Sequence, residues 1–193
     1  MAGDTDNIEV WSEADVLIGS ITATDPTAGA DFTMNAPPTT TTEWDFAGLL
    51  DGGAGFAESM TNDSASYSAW GVGEVATSRR NLAVTKTFTV LEDNKVTQGL
   101  RWDTTGVTYT TVDGGVGYSG TLKGRDLNEK FKIAFETRSG TVIKRYITKN
   151  YAQIESVGDR SEGEDGMESF SVTVKIYPDA DGNFWTVYKG AAS

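Results

Sequence analysis

The chain has 193 residues, no cysteine, no histidine and a formal net charge of −12. That length suits one domain, residues 1–193, burying about 70% of its unfolded surface around a single core. The missing residue types exclude disulfides, thiolate metal sites and cysteine nucleophiles, and remove the commonest general base and metal ligand.

Charge is unevenly spread. Residues 1–78 carry 13 acids and no base, whereas residues 79–193 carry 15 acids and 16 bases, so −13 and +1 make up the −12. An acidic front repels phosphates, which argues against sequence-specific nucleic-acid binding. Solubility is the plain explanation for such a surface. Repulsion also has a use, because a wall that does not grip a polyanion lets it slide.

In chain order, residues 1–14 are polar and acidic and read as a flexible arm, with Ile8, Val10 and Trp11 available to dock. The opening lacks the basic and apolar regions of a leader, and no run approaches the ~18 apolar residues of a membrane span. A cytosol-like compartment and no membrane partner are therefore expected. Residues 16–21 form a short apolar run and predict a first strand.

Residues 22–43 hold Pro26, Pro37, Pro38 and four consecutive threonines, and with the stretch from Trp44 to about Ala65 they read as one long irregular loop, about 22–65. A compact domain rarely carries such a loop unless it is functional or disordered. Phe32, Trp44, Phe46 and Phe56 are too apolar for a solvated linker. They predict ordering against another copy of the chain.

Residues 64–75 read as extended, with Tyr67 and Trp70 as anchors and bends at Gly71 and Gly73. Leu82, Val84, Phe88 and Val90 alternate with Ala83, Thr85, Thr87 and Thr89, a half-buried strand. Glu92-Asp93-Asn94 then offers an N-cap and first-turn carboxylates, and Val96 and Leu100 are four apart, predicting a helix of about two turns. Residues 107–112 and 116–123 flank Asp113-Gly114-Gly115, a hairpin signal.

The last third is plainer. Residues 131–136 alternate, turn at Ser139-Gly140 and return through 142–148; residues 152–157 predict another strand. Phe170, Val172, Val174 and Ile176 alternate with Ser169, Ser171, Thr173 and Lys175. A turn at 178–183 leads to a final strand at 184–188. The sum is a mainly β chain of nine or ten strands with one short α-helix, an antiparallel sandwich or partial barrel.

Chemical motifs are few. Asp179, Asp181 and Asn183 resemble the start of a calcium loop, but the bidentate Glu is missing and a capped turn is the better account. The acidic run Asp159, Glu162, Glu164, Asp165 and Glu168 reads as a solvated loop, or as a contact between subunits. No nucleophile elbow, phosphate loop or dinucleotide fingerprint is present, so neither an enzyme nor a cofactor is expected.

Several short motifs recur in one order: Asp25-Pro26-Thr27, then Trp44, Gly48-Leu49 and Asp51-Gly52, then Trp70-Gly71, Arg79-Arg80, Phe88, Leu91-Glu92-Asp93-Asn94 and Leu100, and finally Tyr177-Pro178-Asp179 and Gly182. On these the chain resembles the major tail tube proteins of long-tailed, siphovirus-type phages, especially those of actinobacterial hosts. The tract 37–42 and the loop near Glu162 depart from that pattern.

The resemblance implies a virion protein made in the host cytoplasm. It implies six subunits per ring, each contributing a sheet to a shared barrel. Rings would stack around a tape measure protein, with tail terminator and initiator proteins at the ends and DNA passing through unbound. The early loop, with Phe32, Trp44, Phe46 and Phe56, would reach the adjacent ring. The helix near Asn94 would lie outside the barrel or between neighbours. Glu136 and Glu155, each alternating with apolar residues, are candidates to line the bore. A capsid decoration protein or a receptor-binding β-sandwich, recognising through the loop near Glu162, is the alternative. A hydrolase using two carboxylates is a third reading and would need a deep cleft with a carboxyl of raised pKa.

Overall fold

The computed structural model describes residues 10–26, 43–112, 115–126, 128–163 and 166–191. Two open antiparallel sheets face each other, and among the described residues neither closes into a barrel, so the sandwich alternative holds. The first sheet has the order β14-β10-β9-β1-β2, built from β1 (Glu13–Gly19), β2 (Trp44–Phe46), β9 (Lys132–Ser139), β10 (Val142–Thr148) and β14 (Trp185–Ala191). The second has the order β11-β13-β4-β3, from β3 (Ala57–Ala69), β4 (Gly73–Val90), β11 (Tyr151–Val157) and β13 (Gly166–Tyr177), with the short β12 (Ser161–Gly163) also on β13. Two small ribbons complete the strands: β5 (Trp102–Asp103) with β8 (Lys123–Gly124), and β6 (Val107–Val112) with β7 (Gly115–Gly120).

Alternation explains the main core. Val16, Ile133 and Phe135 point from the first sheet, and Val84, Phe88, Val90, Val172, Val174 and Ile176 point from the second, so the two inner faces interdigitate. The outer face of the first sheet is buried as well. Leu17, Ala134 and Ile147 pack there with Trp44 and Ala23. Gly19 makes this possible, because a Cβ at that position would lie 2.9 Å from Cδ2 and Cε3 of Trp44. The Trp44 indole N–H donates to the Thr24 carbonyl at 2.8 Å. Lys132 holds the same segment through Asp25 (2.6 Å) and the Ala23 carbonyl (2.9 Å), which gives the Asp25-Pro26 motif a physical role.

The helix α1 (Lys95–Arg101) forms where the sequence predicts it. Asn94 is the N-cap, its side chain accepting from the N–H groups of Val96 at 2.8 Å and Thr97 at 3.0 Å, while Thr97 Oγ1 accepts from the Asn94 N–H. The expected first-turn carboxylates are absent. Glu92 and Asp93 lie before the helix and serve elsewhere: Glu92 accepts from the Leu49 N–H, and Asp93 accepts from Gln98 and from the Tyr118 hydroxyl.

The region from Trp44 to about Ala65 is not irregular. It contains β2 and most of β3, joined by residues 47–56, which are stitched to the end of β4 by Leu91 N–H to Leu49 O, Asp51 N–H to Thr89 O and the Leu50–Val90 bridge. Gly48, at φ +89°, sits so close to Glu92 and Asn94 that a side chain there would clash. Asp51 caps the N–H groups of Gly53 and Ala54. The expected contact at Phe32 lies outside the described residues, as do Asp113-Gly114 and Glu164-Asp165.

Candidate functional site

β3 and β4 form a long hairpin whose turn falls at Trp70-Gly71-Val72, with Gly71 and Gly73 at positive φ. All thirteen residues of β3 are exposed, and β4 becomes buried only from Val84 onward. The ladder runs from Ala57 opposite Thr87 to Ala69 opposite Gly73, with bulges near Thr61–Asp63 and Tyr67–Ser68. Asn81 takes φ 54° beside the first bulge. The outer part is therefore a two-stranded ribbon standing clear of the sandwich.

Its surface is apolar toward the apex. Met60, Tyr67, Val72 and Val75 are exposed, and Trp70 is completely so. Tyr67 and Trp70, expected as anchors, thus point to solvent in the single chain. Leu82, expected inside with Val84, is exposed because the bulge and Asn81 break the alternation. Arg79 and Arg80 lie on the same shaft, opposite Ser64 and Asp63.

At the root of the hairpin a cleft of about 820 Å³ opens between the sheets, walled by Phe56, Lys86, Phe88, Phe135, Lys144 and Tyr146. Lys86 is nearly enclosed. Its ammonium lies 4.7 Å from the ring centres of both Phe135 and Tyr146 and 5.3 Å from Trp185, with Glu58 at 3.4 Å. Burial lowers its pKa, against the pull of Glu58.

A polar row crosses the buried outer face of the first sheet. Asp15 lies opposite Glu136, and Glu136 opposite Arg145. Arg145 Nε donates to Glu136 Oε2 at 2.5 Å, and both side chains are fully buried. Burial raises the Glu136 pKa despite Arg145. Asp15 is pushed up to about 6, first by burial and then by Glu136 and Glu13.

No family model matches the chain, and no curated protein matches it.

The expected site residues do not gather in one place. Trp44 is only 1% exposed and belongs to its own chain's outer-face cluster, with Phe46 packed beside it. Within the chain it packs on Gly19 and is held by the Thr24 carbonyl. Phe56 is half-buried against the main core and walls the cleft, edge-on to Phe135 at 5.1 Å. Glu136, expected to line a bore, is 0% exposed in the chain, because the sheet that carries it is covered on both faces. Glu155 is exposed on edge strand β11, at a bulge of the other sheet. Val10 is exposed, and Trp11 borders the cleft.

The motif around Asp179 is a capped turn, with Asp179 accepting from the N–H groups of Asp181 and Asn183. Arg160 ties the loop after β11 to Asp93 and Glu168. Among the described residues no cluster of three or more acidic side chains is gathered as for a metal ion, and no helix is long and apolar enough to cross a membrane. Sequence reasoning missed the exposed ribbon and caged Lys86. Trp70-Gly71-Val72-Gly73 between two extended runs was the available signal for the ribbon.

Proposed function

We propose that the chain is a structural subunit that assembles with copies of itself into stacked hexameric rings, forming the tail tube of a long-tailed phage. The tube encloses a tape measure protein, meets terminator and initiator proteins at its ends, and passes DNA without binding it specifically. The order of short motifs from Asp25-Pro26 to Gly182 supports the family assignment.

The observation that carries self-assembly is the β3–β4 ribbon. A two-stranded ribbon on which none of the described residues packs is marginally stable alone in water, and keeping its apolar apex wet costs free energy. Docking on a second copy supplies the missing burial. Open edges at β14, β2, β11 and β3 point the same way, since sheet edges left unpaired invite pairing between chains. A contact between two different surfaces of one chain propagates as a ring or a filament.

Negative-stain microscopy of concentrated protein tests the proposal. Hollow filaments or six-fold rings are expected. Discrete monomers or trimers at every concentration would sink it and favour a decoration or receptor-binding module. A mobility-shift assay with duplex DNA is expected to detect no binding at physiological salt, consistent with a net charge of −12.

A further inference from the structure

We propose that the apex of the ribbon, with Trp70 at its tip, inserts between the two sheets of a second copy, into the cleft beside Lys86 and Lys144. The idea rests on the self-assembly reading and specifies its receptor.

The chemistry of the two surfaces matches. Trp70, Val72 and Val75 offer a compact apolar wedge, and tryptophan and tyrosine are the side chains that most often dominate an interface. The cleft offers aromatic walls from Phe56, Phe135 and Tyr146 and room for such a wedge. Exposed Leu49 stands on its rim.

Charges fit as well. Glu74, two residues beyond Val72, is exposed and, among the described residues, accepts only from the Thr77 hydroxyl. Lys144 lies over the Tyr146 ring at 5.0 Å and forms no ion pair among the described residues. Two acids lining the cleft are already engaged, Asp51 with the N–H groups of Gly53 and Ala54 and Glu92 with that of Leu49. Glu74 meeting Lys144 therefore pairs an acid and a base that are otherwise unmatched.

Geometry makes the contact repeatable. The cleft lies where β3 and β4 leave the sandwich, so no chain can reach its own cleft with its own tip. From Thr61 to Ala69 the ribbon projects about 26 Å at about 3.3 Å per residue. A copy displaced by that length along the ribbon presents its root to the first copy's apex, and the next copy repeats the step. Tip and root are different surfaces, so the contact is head-to-tail and leaves a free tip and a free root for further copies wherever the rotation per step does not close a ring.

The absence of cysteine allows a direct test. Ala69→Cys, Leu49→Cys and Thr105→Cys are made as single variants, the first keeping Trp70 in place beside it; all three positions are exposed, and Thr105 borders a different hollow, beside α1. Mixing Ala69→Cys with Leu49→Cys under mild oxidation is expected to give a disulfide-linked dimer, and mixing it with Thr105→Cys is not. Glu74→Lys and Lys144→Glu are each expected to weaken association about tenfold, and the double reversal to restore it. If filaments form but Leu49→Cys links no better than Thr105→Cys, or the double reversal fails to rescue, the tip docks elsewhere and only this inference falls. If neither filaments nor cross-links appear, self-assembly falls with it.

Discussion

A methyl group at Gly19 would press on the Trp44 ring from 2.9 Å, and the ring is locked in turn by its bond to Thr24. Gly19→Ala is expected to cost about 1–3 kcal/mol by overpacking, read from urea unfolding. Glu136 and Arg145 form a buried pair on the same face. Arg145→Met strands the carboxylate and is expected to cost about 3–5 kcal/mol, whereas adding Glu136→Leu recovers part of that loss. Asp15 binds a proton in the folded chain that the unfolded chain releases between 3.8 and about 6, so its contribution is most favourable at low pH and fades as pH rises through that window. Asp15→Asn is expected to flatten that part of the stability profile and to raise stability at neutral pH, measured by urea titrations across it. Glu136 illustrates what single residues hide in a sequence. Alternation with apolar neighbours usually marks a wet face, but a sheet covered on both sides turns the same pattern into a buried ion pair. Lys86 was hidden for the converse reason: a lysine among Val84, Phe88 and Val90 looks like an interruption until the aromatic rings around it are seen.

At the level of elements, legibility followed burial. β9, β10 and β13 and the cap of α1 were readable because each strand carries apolar residues for the core and a clear punctuation mark, such as Gly140 or Asn94, sets a boundary. β3 was not. Ala57–Ala69 is a run of small and polar residues wetted on both faces, so no period of two in hydrophobicity exists to be read. Its partner strand was predicted in two pieces because the bulge at Asn81 shifts the pattern midway. Independence of the ribbon from the core gives an element-scale prediction. Replacing residues 62–82 by an Asn-Gly turn is expected to leave the melting temperature within about 4 °C of the parent, followed by circular dichroism, while filaments vanish from negative stain.

For the whole molecule, long-range repulsion would set the pace of the proposed association. Chains that each carry −12 repel before any surfaces touch, and raising salt from ~0.01 to ~0.15 M shortens the screening length from about 30 to about 8 Å. Light scattering is expected to record faster assembly over that range; a slowing would mean that attraction between opposite charges dominates the encounter. The mature contact has a mechanical side. β4 is one strand of eighteen residues, so the segment that the proposed contact would grip near Gly73 is covalently and continuously the one that holds Phe88 and Val90 in the middle of the sandwich. A pull on the far end is delivered straight to the interior, with the left-handed kink at Asn81 as its knuckle. Each subunit in a stack would thus be tensioned from its centre by the next, like a chain whose links are hooked at the heart rather than at the rim.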